Sequence, residues 1–150
     1  MKKIILFTFF ILIVGCGYQP IFNTQQSNFS INEIGYEKNK LNRTIVKGLS
    51  SYKNKENVEQ IYRLEISSYE NKKITLKDKK GDPANLRLNL FTELKVFDNQ
   101  KMILEKKYEE SFEYQNTSKK FELRKYEDKI RSSMLERISN QIISDLYSIK

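Results

Sequence analysis

The most constraining feature of this sequence is a strict alternation of side-chain type near its middle. Leu86, Leu88, Leu90, Leu94 and Val96 occupy even positions, and most of the odd positions between them are polar or charged. Successive side chains of a β-strand point to opposite faces, so this period of two over about ten residues predicts a strand with one buried face. A sheet of such strands needs cover on that face alone.

Two further strands are predicted before this one. Phe29–Tyr36 partly alternates, with an irregularity expected at Asn32–Glu33, and Val58–Tyr69 alternates well. The segment that follows, Asn71–Pro83, is basic and ends in Gly-Asp-Pro, which is typical of an exposed, extended hairpin tip.

A fourth strand is predicted after a turn at Asp98–Lys101, as the hairpin partner of the third. Its apolar positions are again even-numbered: Met102, Leu104, Tyr108, Phe112 and Tyr114. Charged residues occupy several positions between them, which again indicates one buried face.

Two amphipathic helices complete the pattern. Asn39 is placed to cap a helix of about four turns, whose stripe of apolar residues is Leu41, Ile45, Leu49 and Tyr52. Lys119–Lys150 predicts a longer helix, with Ser118 as its cap. The apolar stripe of this second helix consists of Leu123, Tyr126, Ile130, Met134, Ile138, Ile142 and Leu146.

The predicted order is therefore strand, helix, three strands and helix. Both helices can cover the apolar face of the sheet, and the first allows a parallel crossover between the first two strands. We expect an α/β (α+β) fold: a two-layer sandwich with two amphipathic helices on one face of a four-stranded mixed sheet.

The N-terminus has the layout of a secretory signal. Met1–Lys3 is positively charged, Ile4–Val14 is apolar apart from one threonine, and Gly15 precedes Cys16. The apolar run is shorter than the roughly 20 residues that span a bilayer. We expect residues 1–15 to be a signal peptide, 16–28 a polar tether and 29–150 a single domain.

Charge and residue usage narrow the function. Removal of Lys2 and Lys3 leaves 25 basic residues against 19 acidic ones, a net charge of +6 that favours anionic partners. The sequence has no histidine, one cysteine and no glycine-rich phosphate loop. Histidine-based catalysis and histidine metal sites are therefore excluded, and neither an enzyme, a metal nor a cofactor is expected. Nucleic acid is not expected as a partner, since a secretory signal argues against it and no zinc-finger or RNP-like motif is present.

Two resemblances add to this interpretation. Ile13–Cys16 resembles the lipobox of bacterial lipoproteins, which implies that Cys16 carries a covalent diacylglycerol and, on its new amino group, an acyl chain. Cys16–Phe22 reads CGYQPIF. With the lipobox and the order of elements, this start resembles the family of the LPS-assembly lipoprotein LptE. Members often begin with Cys-Gly-aromatic-x-Pro-aliphatic-aromatic, and their fold is the same sandwich.

The resemblance implies a non-enzymatic protein of the outer membrane. The family plugs the lumen of the β-barrel LptD, helps that barrel to fold and helps to deliver lipopolysaccharide to the outer leaflet. It therefore implies LptD and lipopolysaccharide as partners. The domain would lie on the periplasmic side or within the barrel lumen, with its lipid anchor in the membrane.

The topology itself predicts where an anion would bind. Strand four must return to the end of the sheet that carries the Asn71–Pro83 tip, and the last helix must start there. One pole should therefore gather a set of cations, which we call the basic pole: Lys72, Lys73, Lys77, Lys79, Lys80, Arg87, Lys119 and Lys120. The alternative is a solvated loop whose charges only keep it soluble.

Two other classes of protein share some of these features. A different periplasmic lipoprotein, such as an auxiliary subunit of an ABC exporter or a pilotin, would also have Cys16 and a basic surface. An enzyme with an unrecognised carboxylate site would show clustered Asp or Glu in a deep polar pocket.

Overall fold

The structure, a computed structural model, describes residues 27–149. The predicted signal peptide and Cys16 lie outside the described residues. The strands are β1 (Phe29–Tyr36), β2 (Gln60–Lys77), β3 (Pro83–Asp98) and β4 (Lys101–Gln115); the helices are α1 (Lys40–Gly48) and α2 (Lys120–Ser148), with a 3-10 turn at Ser50–Tyr52.

The four strands form one mixed sheet in the order β1-β2-β3-β4. β1 runs parallel to β2, and the remaining neighbours are antiparallel. A parallel pair needs a crossover connection, and α1 lies in it. The predicted fold class, a two-layer sandwich of order β-α-β-β-β-α, is confirmed.

The core lies between the sheet and the two helices. Every even position of β3 from Leu86 to Val96 is buried, as the alternation predicts. Opposite them, most of the predicted α2 stripe is buried, from Leu123 to Leu146. The second face of the sheet, which we call the open face, carries the odd positions of β2 and β3.

The start of α1 is fixed by its predicted cap. The Asn39 side-chain Oδ1 accepts a hydrogen bond of 2.8 Å from the backbone N–H of Asn42, and its Nδ2 donates to the carbonyl of Ser68 on β2. At the other end of α1, Gly48 allows close contact with α2. A Cβ added there would lie 2.9 Å from the Oγ of Ser139, so the two helices approach through a position without a side chain.

The predicted strand boundaries hold at some positions and change at others. The expected irregularity in β1 is present as a register shift between Ile31 and Glu33. The β3–β4 turn is also confirmed, with Asn99 and Gln100 both at positive φ as in type I′ hairpins. β2 is longer than predicted and continues to Lys77, because β3 supplies hydrogen-bonding partners along most of the segment expected as an exposed, extended hairpin tip.

Four predictions were wrong, three of them about the helices and one about β4. α1 has only nine residues, because the chain turns into the 3-10 segment that places Tyr52 in the core. Ser118 does not cap α2; Lys119 occupies that position without a side-chain hydrogen bond. Tyr126 is 47% exposed, and the α2 stripe passes through Glu127 in its place.

The fourth error concerns β4, whose even positions do not form one buried face. A register shift beside Phe97 pairs Met102 with that residue on the open face, so Met102 is exposed. Phe112 is also exposed, although it lies opposite Leu88. β4 is one of the two edge strands of the sheet, and several of its even positions are exposed.

We expect Asn39→Ala to lower the free energy of unfolding by about 1–2 kcal/mol, because α1 loses its side-chain cap. Asn39→Asp is the matched control: it keeps an acceptor for the Asn42 N–H and should lose less than half as much. Urea unfolding of both variants measures the difference. Equal losses would show that the bond to Ser68, and not the cap, matters at this position.

Candidate functional site

The basic pole is built around the turn that joins β2 to β3. The Asp78 carboxylate accepts hydrogen bonds from the backbone N–H groups of Lys80 and Asp82, at 2.8 and 2.9 Å. Gly81 adopts a φ of +88°, which glycine tolerates best. The turn is therefore organised by its own side chains, and it presents Lys79 and Lys80 at the tip.

The end of β4 is fastened to the same turn. The backbone N–H of Asn116 donates to the carbonyl of Ala84 at 2.8 Å, and its Nδ2 donates to the carbonyl of Pro83 at 2.7 Å. α2 starts four residues later. The predicted meeting of the β2–β3 tip with the start of α2 is confirmed.

The predicted cations do not all share one surface, because β2 has two faces. Lys72 pairs in register with the buried Leu88 and lies on the helix-covered face. Lys73 pairs with Arg87 on the open face, where Arg87 contacts Glu113 at 2.8 Å. Lys77 pairs with Pro83 beside the turn, and Lys119 occupies the N-cap position of α2.

The structure brings Lys72 and Lys120 together in a groove between β2 and the start of α2, with a volume of about 590 Å³. We call this the helix-side groove; it is lined by Lys72, Ile74, Pro83, Leu86, Asn116, Lys120, Leu123, Arg124 and Glu127. Three of these side chains are cationic, one is a carboxylate, and four are apolar. Such a lining can hold an anionic group next to an apolar one.

Sequence reasoning missed Arg124 and Glu127. Arg124 follows Lys120 by four residues, and residues spaced by four lie on the same side of a helix. Glu127 fits the spacing of the α2 stripe as well as Tyr126 does, since steps of four and then three lead from Leu123 to Ile130. Because a core-facing stripe is expected to consist of apolar residues, the pattern favours Tyr126 over Glu127.

Glu127 is buried, and its charge is satisfied locally. Its Oε1 accepts hydrogen bonds of 2.6 Å from both the Lys72 Nζ and the Tyr114 hydroxyl. Burial acts to raise the pKa of Glu127, but these two bonds and the nearby Arg131 outweigh it and hold the pKa below its ordinary value. Burial and the bond to Glu127 raise the pKa of Tyr114.

A second set of ion pairs joins β2, α1 and α2 beyond the groove. Arg131 forms two bonds with the Glu70 carboxylate, at 2.6 and 3.0 Å, and contacts Asp128 at 2.7 Å. Lys40 reaches the same Asp128 at 3.2 Å. Two parallel bonds between a guanidinium and a carboxylate restrict geometry, so this network fixes the position of α2 over β2.

Within residues 27–149, no group of three or more Asp, Glu, His or Cys side chains is placed to hold a metal ion. None of the helices in that same range is long and apolar enough to cross a membrane.

No protein-family model matches this sequence, and no curated protein matches it either. Solved structures do match. Rare lipoprotein B from Shewanella oneidensis is 17% identical with a TM-score of 0.60; the match covers 78% of this chain and 95% of that one. A minor lipoprotein from Acinetobacter baumannii is 13% identical with a TM-score of 0.61, covering 79% and 91%.

A third structure, a lipoprotein B from Nitrosomonas europaea, is 13% identical with a TM-score of 0.60, over 89% of this chain and 92% of that one. At these identities the comparisons establish a shared fold. The chain therefore has the fold of solved bacterial lipoproteins.

We expect the stability of the protein to fall on acidification, in part through Glu127. A carboxylate whose pKa is lowered by folding stabilises the fold above its unfolded value of about 4.5, and this contribution is lost as the pH falls through the folded value. Glu127→Gln should therefore show a shallower loss of stability below that pH. Chemical unfolding at several pH values tests this, with Glu56→Gln, an exposed loop substitution, as control; identical slopes for wild type and Glu127→Gln would contradict it.

Proposed function

We propose that this chain is a non-enzymatic outer-membrane lipoprotein, anchored by lipid on Cys16. In this proposal it plugs the LptD β-barrel, assists its assembly and takes part in the delivery of lipopolysaccharide to the outer leaflet. The observation that carries the proposal is the sandwich fold shared with solved bacterial lipoproteins. This fold occurs in a chain that has a lipobox-like sequence at Ile13–Cys16 and CGYQPIF at Cys16–Phe22.

The character of the open face supports contact with a barrel lumen. Several of its charges are paired: Arg87 with Glu113 and Lys95 with Glu105 across β3 and β4, and Lys95 also with Glu93 on its own strand. The interior of an outer-membrane barrel is polar, unlike its lipid-facing exterior. The ion pairs of the open face suit such surroundings, and exposed apolar side chains such as Ile61 and Tyr69 lie among them.

The helix-side groove supports contact with an amphiphilic anion. Lipopolysaccharide combines phosphate groups with acyl chains, and the groove places Lys72, Lys120 and Arg124 beside apolar residues. Ile74, which lines the groove, is half exposed, and Leu76 on β2 and Phe121 beside Lys120 in the sequence are also exposed, Phe121 by 61%. Cations for the phosphates and apolar side chains for the lipid are thus adjacent.

Affinity purification from membranes tests the barrel partner. We expect a chain tagged at its C-terminus to bring down one outer-membrane β-barrel protein. Cys16→Ser should lose incorporation of labelled fatty acid and should leave the membrane fraction. Recovery of an inner-membrane ATPase in place of a barrel would instead identify an exporter subunit and refute the proposal.

Charge reversal tests the basic pole. We expect the fourfold change of Lys79, Lys80, Lys119 and Lys120 to glutamate to weaken lipopolysaccharide binding at least tenfold, because eight units of charge change near the groove. The matched control reverses Lys47, Lys53, Lys101 and Lys107, which lie away from the pole. Equal loss in both variants would mean that net charge alone drives binding. Unchanged binding in the first variant, with its fold intact, would exclude the pole as a contact.

A further inference from the structure

We propose that Glu127 is the resident counter-ion of the helix-side groove, and that an anionic phosphate headgroup binds there by replacing Glu127 as the partner of Lys72. The inference rests on the proposed contact with a phosphorylated lipid. It specifies three things beyond that function: which face of the basic pole binds the anion, which residue limits the affinity for it, and which type of anion is preferred.

The geometry makes Lys72 the exchangeable member of the pair. The Lys72 side chain is 42% exposed and lines the groove, whereas the Glu127 side chain is 9% exposed. Glu127 is also held by Tyr114, which donates to the same carboxylate oxygen. Lys72 can therefore turn towards a ligand, while Glu127 stays in place and keeps one hydrogen bond.

The charges in the groove explain why a phosphate would be preferred to a carboxylate. Lys72, Lys120 and Arg124 together with Glu127 give the groove a net charge of +2 (three cations less one anion). A phosphate group offers several acceptor oxygens and up to two negative charges, so it can engage all three cations at once. A single carboxylate would only exchange one ion pair of Lys72 for another, with little net gain.

The open face lacks this arrangement. Arg87 contacts Glu113 there, and the two side chains are 47% and 40% exposed. Solvent screens such pairs, and they contribute little to binding or stability. Glu113 lies at the same pole and has the same charge as Glu127, so it provides a matched control for the effect of position.

The experiment compares Glu127→Gln with Glu113→Gln by titration against phosphatidylcholine vesicles with and without lipopolysaccharide. We expect Glu127→Gln to bind the lipopolysaccharide vesicles about five- to tenfold more tightly than wild type, because Lys72 is released and a repulsive charge is removed. Glu113→Gln should stay within about twofold of wild type. Glutamine can still accept the Tyr114 bond, and thermal unfolding verifies that each variant is folded.

A second pair of variants separates the counter-ion role from a general change of charge. In a Lys72→Met background, Glu127→Gln should tighten binding by no more than about twofold, since no lysine remains to be released and only the repulsive charge is removed. A gain there as large as in the wild-type background would refute the exchange with Lys72. Equal gains from Glu127→Gln and Glu113→Gln would refute the assignment of the anion site to the helix-covered face. Unchanged or weaker binding by Glu127→Gln would refute the role of Glu127 as counter-ion.

A further titration with inorganic pyrophosphate distinguishes the source of the phosphate. Tightening by Glu127→Gln with both probes supports a site for the phosphate group itself, whichever molecule carries it. Tightening with the vesicles alone supports a site that also needs the lipid. If neither wild type nor Glu127→Gln binds either probe, the inference is refuted, whereas the proposed barrel role is judged separately by co-purification.

Discussion

The burial of α2 against one face of the sheet is the constraint on which the other features depend. β2, β3 and β4 carry apolar residues on that face, which must be covered. The nine residues of α1 cannot cover strands that are up to 18 residues long. α2 has 29 residues, about 44 Å at 1.5 Å per residue, and can extend along the sheet. Because β4 ends at the β2–β3 turn, this helix must begin there, and its first turns form one wall of the groove.

The polar contacts of α2 lie mainly at the margins of this apolar layer. Arg137 reaches Glu110 and Asp145 binds Tyr108 and Lys106, all on β4. Arg131 bonds to β2, and Glu127 bonds to both β2 and β4. The helix is thus held by ion pairs on both sides of its buried stripe. Since apolar contacts have little directional preference, these pairs define how the helix is rotated and how far it slides along the sheet. The groove takes its shape from that placement.

The parts of the fold that depend on regular periods could be predicted from sequence. The alternation along β3, the bounds of β1, the Asn39 cap and the position of the last helix all follow from local patterns. The errors arose where tertiary contacts decide the outcome. β2 continues to Lys77 because β3 pairs with it, and Tyr126 loses its place in the core because Glu127 finds partners on β2 and β4.

The candidate site was predictable only in outline for the same reason. The topology places the basic tip of β2 beside the start of α2. Because successive residues of a strand face opposite sides, Lys72 and Lys73 lie on opposite faces of the sheet. The sequence contains that alternation, but its basic, polar composition indicates an exposed hairpin tip and does not show which cations face α2. A buried carboxylate among cations cannot be found without knowing which side chains meet in space.

The length of β2 has one more consequence. Its first residue pairs with Phe29, close to where the described chain starts at residue 27, and its last lies at the basic pole. Seventeen steps of about 3.3 Å separate Gln60 from Lys77 by roughly 55 Å. This distance therefore separates the N-terminal end of the described domain from the basic pole. A fluorophore attached at Ser27 and a second one at the β2–β3 turn would stay at a nearly constant distance, whichever way the domain is oriented.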